Sequence, residues 1–176
     1  MSYKRRMTPS ARQLRARQHR WQIEFAEELP VLLDRLLRAE DCSASPPKTH
    51  GVYLFSERGK PMYVGRTGKT ARAIKKGHGH SNFKTRRAGH TYARHNSGTY
   101  AYRLALDSFE KGGGVPDPTR EANCANNAFM THFRAQCARI KAMEFRVVPI
   151  ECDALAAVFE VYASTILDTE NSWATS

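Results

Sequence analysis

The stretch Gly51-Val-Tyr-Leu-Phe-Ser-Glu-Arg-Gly-Lys-Pro-Met-Tyr-Val-Gly65 decides how the chain is read. Two short apolar-aromatic runs, Gly51 to Phe55 and Pro61 to Gly65, flank Ser56-Glu57-Arg58-Gly59-Lys60. The intervening residues are polar and include a glycine, so the unit predicts a β-hairpin with a loop of roughly three to five residues. Tyr53 and Tyr63 then stand on neighbouring antiparallel strands, where side chains come within ~5 Å of one another. Arg66 follows at once. Two phenols and a guanidinium converging at one end of a hairpin form a polar constellation that a plain core hairpin does not need.

Working outward, 176 residues with 41% hydrophobic and 10% aromatic content suit one domain with a real core and argue against disorder. The net charge of +11 is unevenly spread. Residues 51–96 hold eleven Lys/Arg against Glu57 alone, giving +10, whereas residues 97–176 hold seven against ten, giving −3. A concentrated basic block beside a tyrosine hairpin is the electrostatic footprint of a polyanion binder. The plainer reading is a solvated basic surface. Cys42, Cys124, Cys137 and Cys152 form no C-x-x-C pair, and Cys124 and Cys137 are placed on one helix; reduced, partly buried thiols fit a cytosolic protein. The chain has no long apolar run and no signal-like hydrophobic start, so a soluble cytoplasmic protein without membrane partners is expected.

On the N-terminal side, residues 1–8 read as a basic arm. Leu14, Trp21, Phe25, Leu29, Leu32, Leu33 and Leu36 then recur at helical spacing, predicting a helix from Pro9 to about Ala39. Ser10 is its candidate cap, and Pro30 should kink or divide it. Its arginines either decorate an outer face or extend a phosphate-binding surface. Asp41 to His50 reads as a linker. On the C-terminal side of the hairpin a helix is expected to begin near Lys69. Gly68-Lys69-Thr70 resembles the end of a P-loop, but the required first glycine is replaced by Tyr63. Gly77 to Gly98 reads as irregular, with His78, His80, His90 and His95 among Lys84, Arg86, Arg87 and Arg94. The absence of a cysteine and the cationic surroundings argue against zinc; phosphate contact or acid–base work fits better.

Farther on, Tyr100 to Phe109 predicts a short amphipathic helix, and Thr119 caps a helix running to about Ala142. Met143 to Ile150 predicts a third strand with Pro149 at its edge or end. Asp153 should cap a last apolar helix, Ala154 to about Leu167. Within that helix stands a single charged residue, Glu160. A carboxylate in so apolar a setting is costly unless paired or bound. It either reaches the solvent side or an arginine, or it is a ligand for a hard cation, since one carboxylate with waters and phosphates can hold Mg²⁺.

These residues resemble the GIY-YIG nuclease family. The resemblance rests on Gly51-Val52-Tyr53, Tyr63-Val64-Gly65, a following arginine, Glu160 in the last helix and Asn171 in Thr169-Glu-Asn-Ser-Trp173. It covers roughly residues 49–173. It implies an α+β fold: a GIY-YIG-like domain at 49–176 with a three-stranded antiparallel sheet flanked by helices and an insertion near 77–118. Residues 1–48 would be a basic arm and helical extension. In such enzymes the two motif tyrosines lie in the active site and one activates the attacking water. Tyr53 is the first choice for that base, with Tyr63 shaping the site. The resemblance further implies that Glu160 binds a single Mg²⁺ (or Mn²⁺), that an arginine steadies the phosphate, and that Asn171 braces the site. Arg72 and Arg86 compete for the arginine role. Arg72 lies in the expected helix but one residue early, whereas Arg86 and His90 have the Arg-x-x-x-His spacing of restriction-type members.

The expected function is thus a divalent-metal-dependent endonuclease hydrolysing DNA, compatible with a restriction-type enzyme. Arg66, Lys69, Lys75, Lys76, Lys84, Arg87 and Arg94 are the expected nucleic-acid contacts. The alternatives are a non-catalytic nucleic-acid-binding module and an RNA-directed nuclease. Cutting both strands calls for two active sites or two events, and a homodimer is one way to supply them.

Overall fold

The computed structural model describes residues 11–68, 81–93 and 98–169. Helix α1 (Ala11–Arg38) leads into β1 (Gly51–Glu57) and β2 (Lys60–Arg66). Helices α2 (Phe83–Thr91), α3 (Thr99–Lys111), α4 (Arg120–Ala125) and α5 (Asn127–Lys141) follow, then β3 (Glu144–Pro149) and α6 (Asp153–Ile166). The three strands form one antiparallel sheet in the order β2-β1-β3, the expected α+β arrangement.

The alternation of Val52-Tyr53-Leu54-Phe55 explains the layering. Val52 and Leu54 point to one face, where Leu29, Leu32 and Leu36 of α1 and Ala156, Phe159 and Ala163 of α6 cover them. Tyr53 and Phe55 point to the other face, among Phe83, Tyr100, Phe129, Phe133 and Phe145. Because β1 is central and both its faces are covered, its residues from Gly51 to Ser56 are buried. No residue here alternates between core and water.

The hairpin is tighter than its sequence suggests. Its strands extend to Glu57 and Lys60, leaving only Arg58-Gly59, with φ of 53° and 76°. Positive φ at both positions is the geometry that matches the right-handed twist of paired strands. The extra residue appears instead as a bulge, where pairing steps from Phe55↔Tyr63 to Ser56↔Pro61. Thr67 closes the open end: its N–H donates to the Gly51 carbonyl at 2.8 Å, and its Oγ1 accepts from the Gly51 N–H at 2.8 Å.

Several other expectations need correction. Pro30 does not divide α1, which continues through it with the proline on the exposed side. The segment read as irregular contains α2, started by a capping box in which Asn82 Oδ1 accepts from the Thr85 N–H and Thr85 Oγ1 accepts from the Asn82 N–H. The helix expected from Thr119 to Ala142 is broken at Asn126, whose side chain caps α5. Cys124 and Cys137 therefore lie on different helices, and none of the four thiols is in a disulfide. Cys152, not Asp153, holds the N-cap position of α6. The expected Ser10 cap and the helix start near Lys69 lie outside the described residues. No helix among the described residues is long and apolar enough to cross a membrane.

Candidate active site

Tyr53 and Tyr63 are diagonal neighbours on the same face, not direct partners, because Tyr53 pairs with Gly65 and Tyr63 with Phe55. Their ring centroids lie 6.2 Å apart. Gly65 makes this approach possible. A Cβ at that position would strike the hydroxyl end of Tyr53 and sit 2.8 Å from Tyr63 Cε1.

Helix α2 brings two more groups to the phenols. Arg86 and His90 are one turn apart and so share a helix face. The Tyr53 hydroxyl lies 2.9 Å from His90 Nε2, and the Arg86 guanidinium hydrogen-bonds the same hydroxyl. His90 Nδ1 is buried without a hydrogen-bond partner. A buried N–H lacking an acceptor costs more than a bare lone pair, which favours the tautomer protonated on Nε2 and donating to Tyr53. The Tyr53 oxygen then accepts from both His90 and Arg86, leaving its own proton to bond Tyr63.

Burial dominates the electrostatics. It pushes His90 down to about 3, assisted by the Arg86 charge, so the imidazole is neutral. It raises Tyr53 strongly, with the neighbouring Tyr63 adding to the effect and Arg86 opposing it. Burial raises Tyr63 too, with the Glu160 charge adding to it, while Arg86, the Tyr53 O–H and Arg103 oppose the shift. Tyr53 has 0% exposure, whereas Tyr63 is partly exposed. Tyr63 is the phenol that faces outward.

Helix α3, read from sequence only as amphipathic, also enters the site. Tyr100 stacks on Tyr63 with centroids 4.5 Å apart and ring planes 15° from parallel. Arg103, one turn later, contributes its charge to Tyr63. The helical spacing of Tyr100 and Arg103 was the available signal; nothing local linked them to the hairpin.

Across the sheet end, α6 packs against β2 and presents Glu160. Glu160 Oε2 accepts from Arg66 Nε at 3.0 Å, and the carboxylate side chain is only 12% exposed. Burial raises its pKa, while Arg66 and Arg86 oppose that shift. The arginine-paired alternative for Glu160 is therefore realised in this structure. Among the described residues no group of three or more His, Cys, Asp or Glu side chains is placed to hold an ion. The donor set is one carboxylate flanked by cations. That fits Mg²⁺ or Mn²⁺ with most positions filled by water and phosphate oxygens, and not an all-protein cage.

The expected nucleic-acid contacts divide. Lys84 is exposed on the first turn of α2 beside the linker residues Ser45 to Lys48. Arg87 is spent otherwise: its Nη2 donates to the Lys141 carbonyl at 3.1 Å, satisfying the C-terminal end of α5. Arg66 is engaged by Glu160. Arg72, Lys69, Lys75, Lys76, Arg94 and Asn171 lie outside the described residues. Of the two competing arginines, Arg86 stands at the tyrosines.

Scans of protein-family models, curated proteins and solved structures found no match to this chain.

Proposed function

We propose that this protein is a metal-dependent endonuclease that hydrolyses DNA phosphodiester bonds. The observation that carries the reading is the convergence of Tyr53, Tyr63, Arg86 and His90 beside Glu160, from three separate parts of the chain. A core hairpin has no use for two phenols, a guanidinium bonded to one of them and a largely buried carboxylate in one place. The resemblance of these motifs to GIY-YIG nucleases and the +10 charge of residues 51–96 point the same way.

Each group then has a distinct task. Tyr63 is partly exposed and less strongly opposed as a phenolate than Tyr53, because Arg86, the Tyr53 O–H and Arg103 offset burial and Glu160. It accepts the proton of the attacking water. Fully buried Tyr53 transmits the hydrogen-bond donation of His90 and Arg86 to Tyr63. This assigns the base to the second tyrosine, not the first. Arg86 also supplies a fixed positive charge for the pentacoordinate phosphate. Glu160 would hold the single Mg²⁺ or Mn²⁺, which when bound stabilises charge on the phosphate and leaving oxygens.

Incubation with plasmid DNA, linear DNA and RNA, in Mg²⁺ or EDTA, tests the assignment. Glu160→Ala is expected to abolish cleavage with the fold and DNA binding retained. Wild-type cleavage by that variant would overturn the reading, and cleavage of RNA alone would change the substrate.

A further inference from the structure

We propose that Arg66 couples metal binding to DNA binding. Its ion pair holds the Glu160 carboxylate in the free protein, and a substrate phosphate draws the guanidinium away as the metal takes the carboxylate. This inference rests on the nuclease reading above.

Among the described residues two cations face Glu160, and they differ in what else holds them. Arg86 comes from α2 and is exposed along its length, but its guanidinium is tied to the Tyr53 hydroxyl. Arg66 sits on the last residue of β2, and its side chain is 35% exposed. Its backbone is fixed from behind, because Thr67 is doubly bonded to Gly51. Only the side chain needs to move. The guanidinium fork matches two phosphate oxygens as well as it matches a carboxylate.

The charge count around Glu160 then sets the order of events. Among the described residues, a dication approaching the Glu160 carboxylate meets the charges of both Arg66 and Arg86 against that one carboxylate. Each unit of charge within ~5 Å of such an ion changes its affinity by about tenfold or more. A DNA backbone reverses the balance by bringing phosphates that accept Arg66 and ligate the ion. Linkage makes this reciprocal: bound metal raises DNA affinity by the same factor. The free protein is thus held in a low-affinity state for metal by its own arginine.

Mn²⁺ binding, followed by the paramagnetic resonance signal of the free ion, tests the coupling without any need for cleavage. The proteins are wild type, Arg66→Gln, Arg66→Met, Arg66→Lys and Glu160→Gln, each alone and with a short DNA duplex of cleavage-resistant phosphorothioate backbone, corrected for Mn²⁺ on the duplex. Without DNA, both neutral Arg66 variants should bind Mn²⁺ about tenfold more tightly than wild type, and Arg66→Lys should stay near wild type. The duplex should tighten Mn²⁺ binding in wild type by about tenfold and much less in the neutral variants. If Glu160→Gln removes the Mn²⁺ site but neither neutral variant binds more tightly than wild type, the coupling is wrong while the metal assignment stands. If Glu160→Gln binds Mn²⁺ like wild type, both are wrong.

Discussion

Tyr53 and His90 meet through a 2.9 Å hydrogen bond, a strand residue and a helix residue joined with both side chains buried against Phe55. Burial of the imidazole, with the Arg86 charge beside it, makes the stability of the fold depend on pH. His90 is held neutral down to about pH 3, whereas an unfolded histidine titrates near ~6.5. Between those values the unfolded chain binds the extra proton. The contribution of His90 is therefore full above pH ~6.5 and is lost progressively as pH falls towards 3, on the order of 4 kcal/mol in all. Urea midpoints measured from pH 7 to 4 should fall more steeply for wild type than for His90→Leu. Parallel curves would count against a buried neutral imidazole.

The two tyrosines should separate kinetically. Tyr63→Phe removes the proposed base and should lower single-turnover cleavage by ~100-fold or more at every pH. Tyr53→Phe removes only the O–H that favours the Tyr63 phenolate, so its loss should be partly recovered as pH is raised. The reverse pattern, with Tyr53→Phe flat and more severe, would return the base to Tyr53.

Gly65→Ala places a methyl group against the ends of both phenols. Overpacking of this kind costs roughly 1–3 kcal/mol. The expected result is a folded but less stable protein with cleavage greatly reduced, seen by thermal melting and single-turnover assay on one preparation. Undiminished cleavage would mean the tyrosines do not need their present spacing.

Asn123 carries the loop between α3 and α4. Its Nδ2 donates to the Tyr102 hydroxyl and to the carbonyls of Asp117 and Thr119, and its Oδ1 accepts from the Asp117 N–H. Asn123→Ala removes these part-buried hydrogen bonds, the Thr119 carbonyl keeping only the backbone N–H of residue 123, and should destabilise by about 2 kcal/mol. Cleavage per folded molecule should be unchanged well below the melting temperature. A loss of turnover without a loss of stability would place this loop in substrate handling.

Much of the frame was legible because it obeys short-range periodicities. Val52 to Phe55 alternate, and so do the residues of β3, because strand side chains point to opposite faces. Glu160 stood out as a charge in an apolar helix. Helix α2 was not legible. Phe83 and His90 are its buried residues, and its charged outer face resembles the basic chain around it. The one local clue was Asn82 placed three residues before Thr85. The break at Asn126 was missed because an asparagine within a helical pattern signals a cap only when the chain turns there.

The sequence by itself determined that a tyrosine hairpin, a third strand and an apolar last helix would make a small α+β core, and which side chains were too costly to bury without a purpose. Only the tertiary structure decided which of them meet. Placing β1 between β2 and β3 buried Tyr53 completely and left Tyr63 partly exposed, while docking α2 on that face selected Arg86 and His90 as their partners. Packing α6 on β2 set Glu160 against Arg66. Such long-range pairings have no local period. They follow from strand order and from which faces the helices cover, and they gathered two tyrosines, an arginine, a histidine and a glutamate at one end of the sheet.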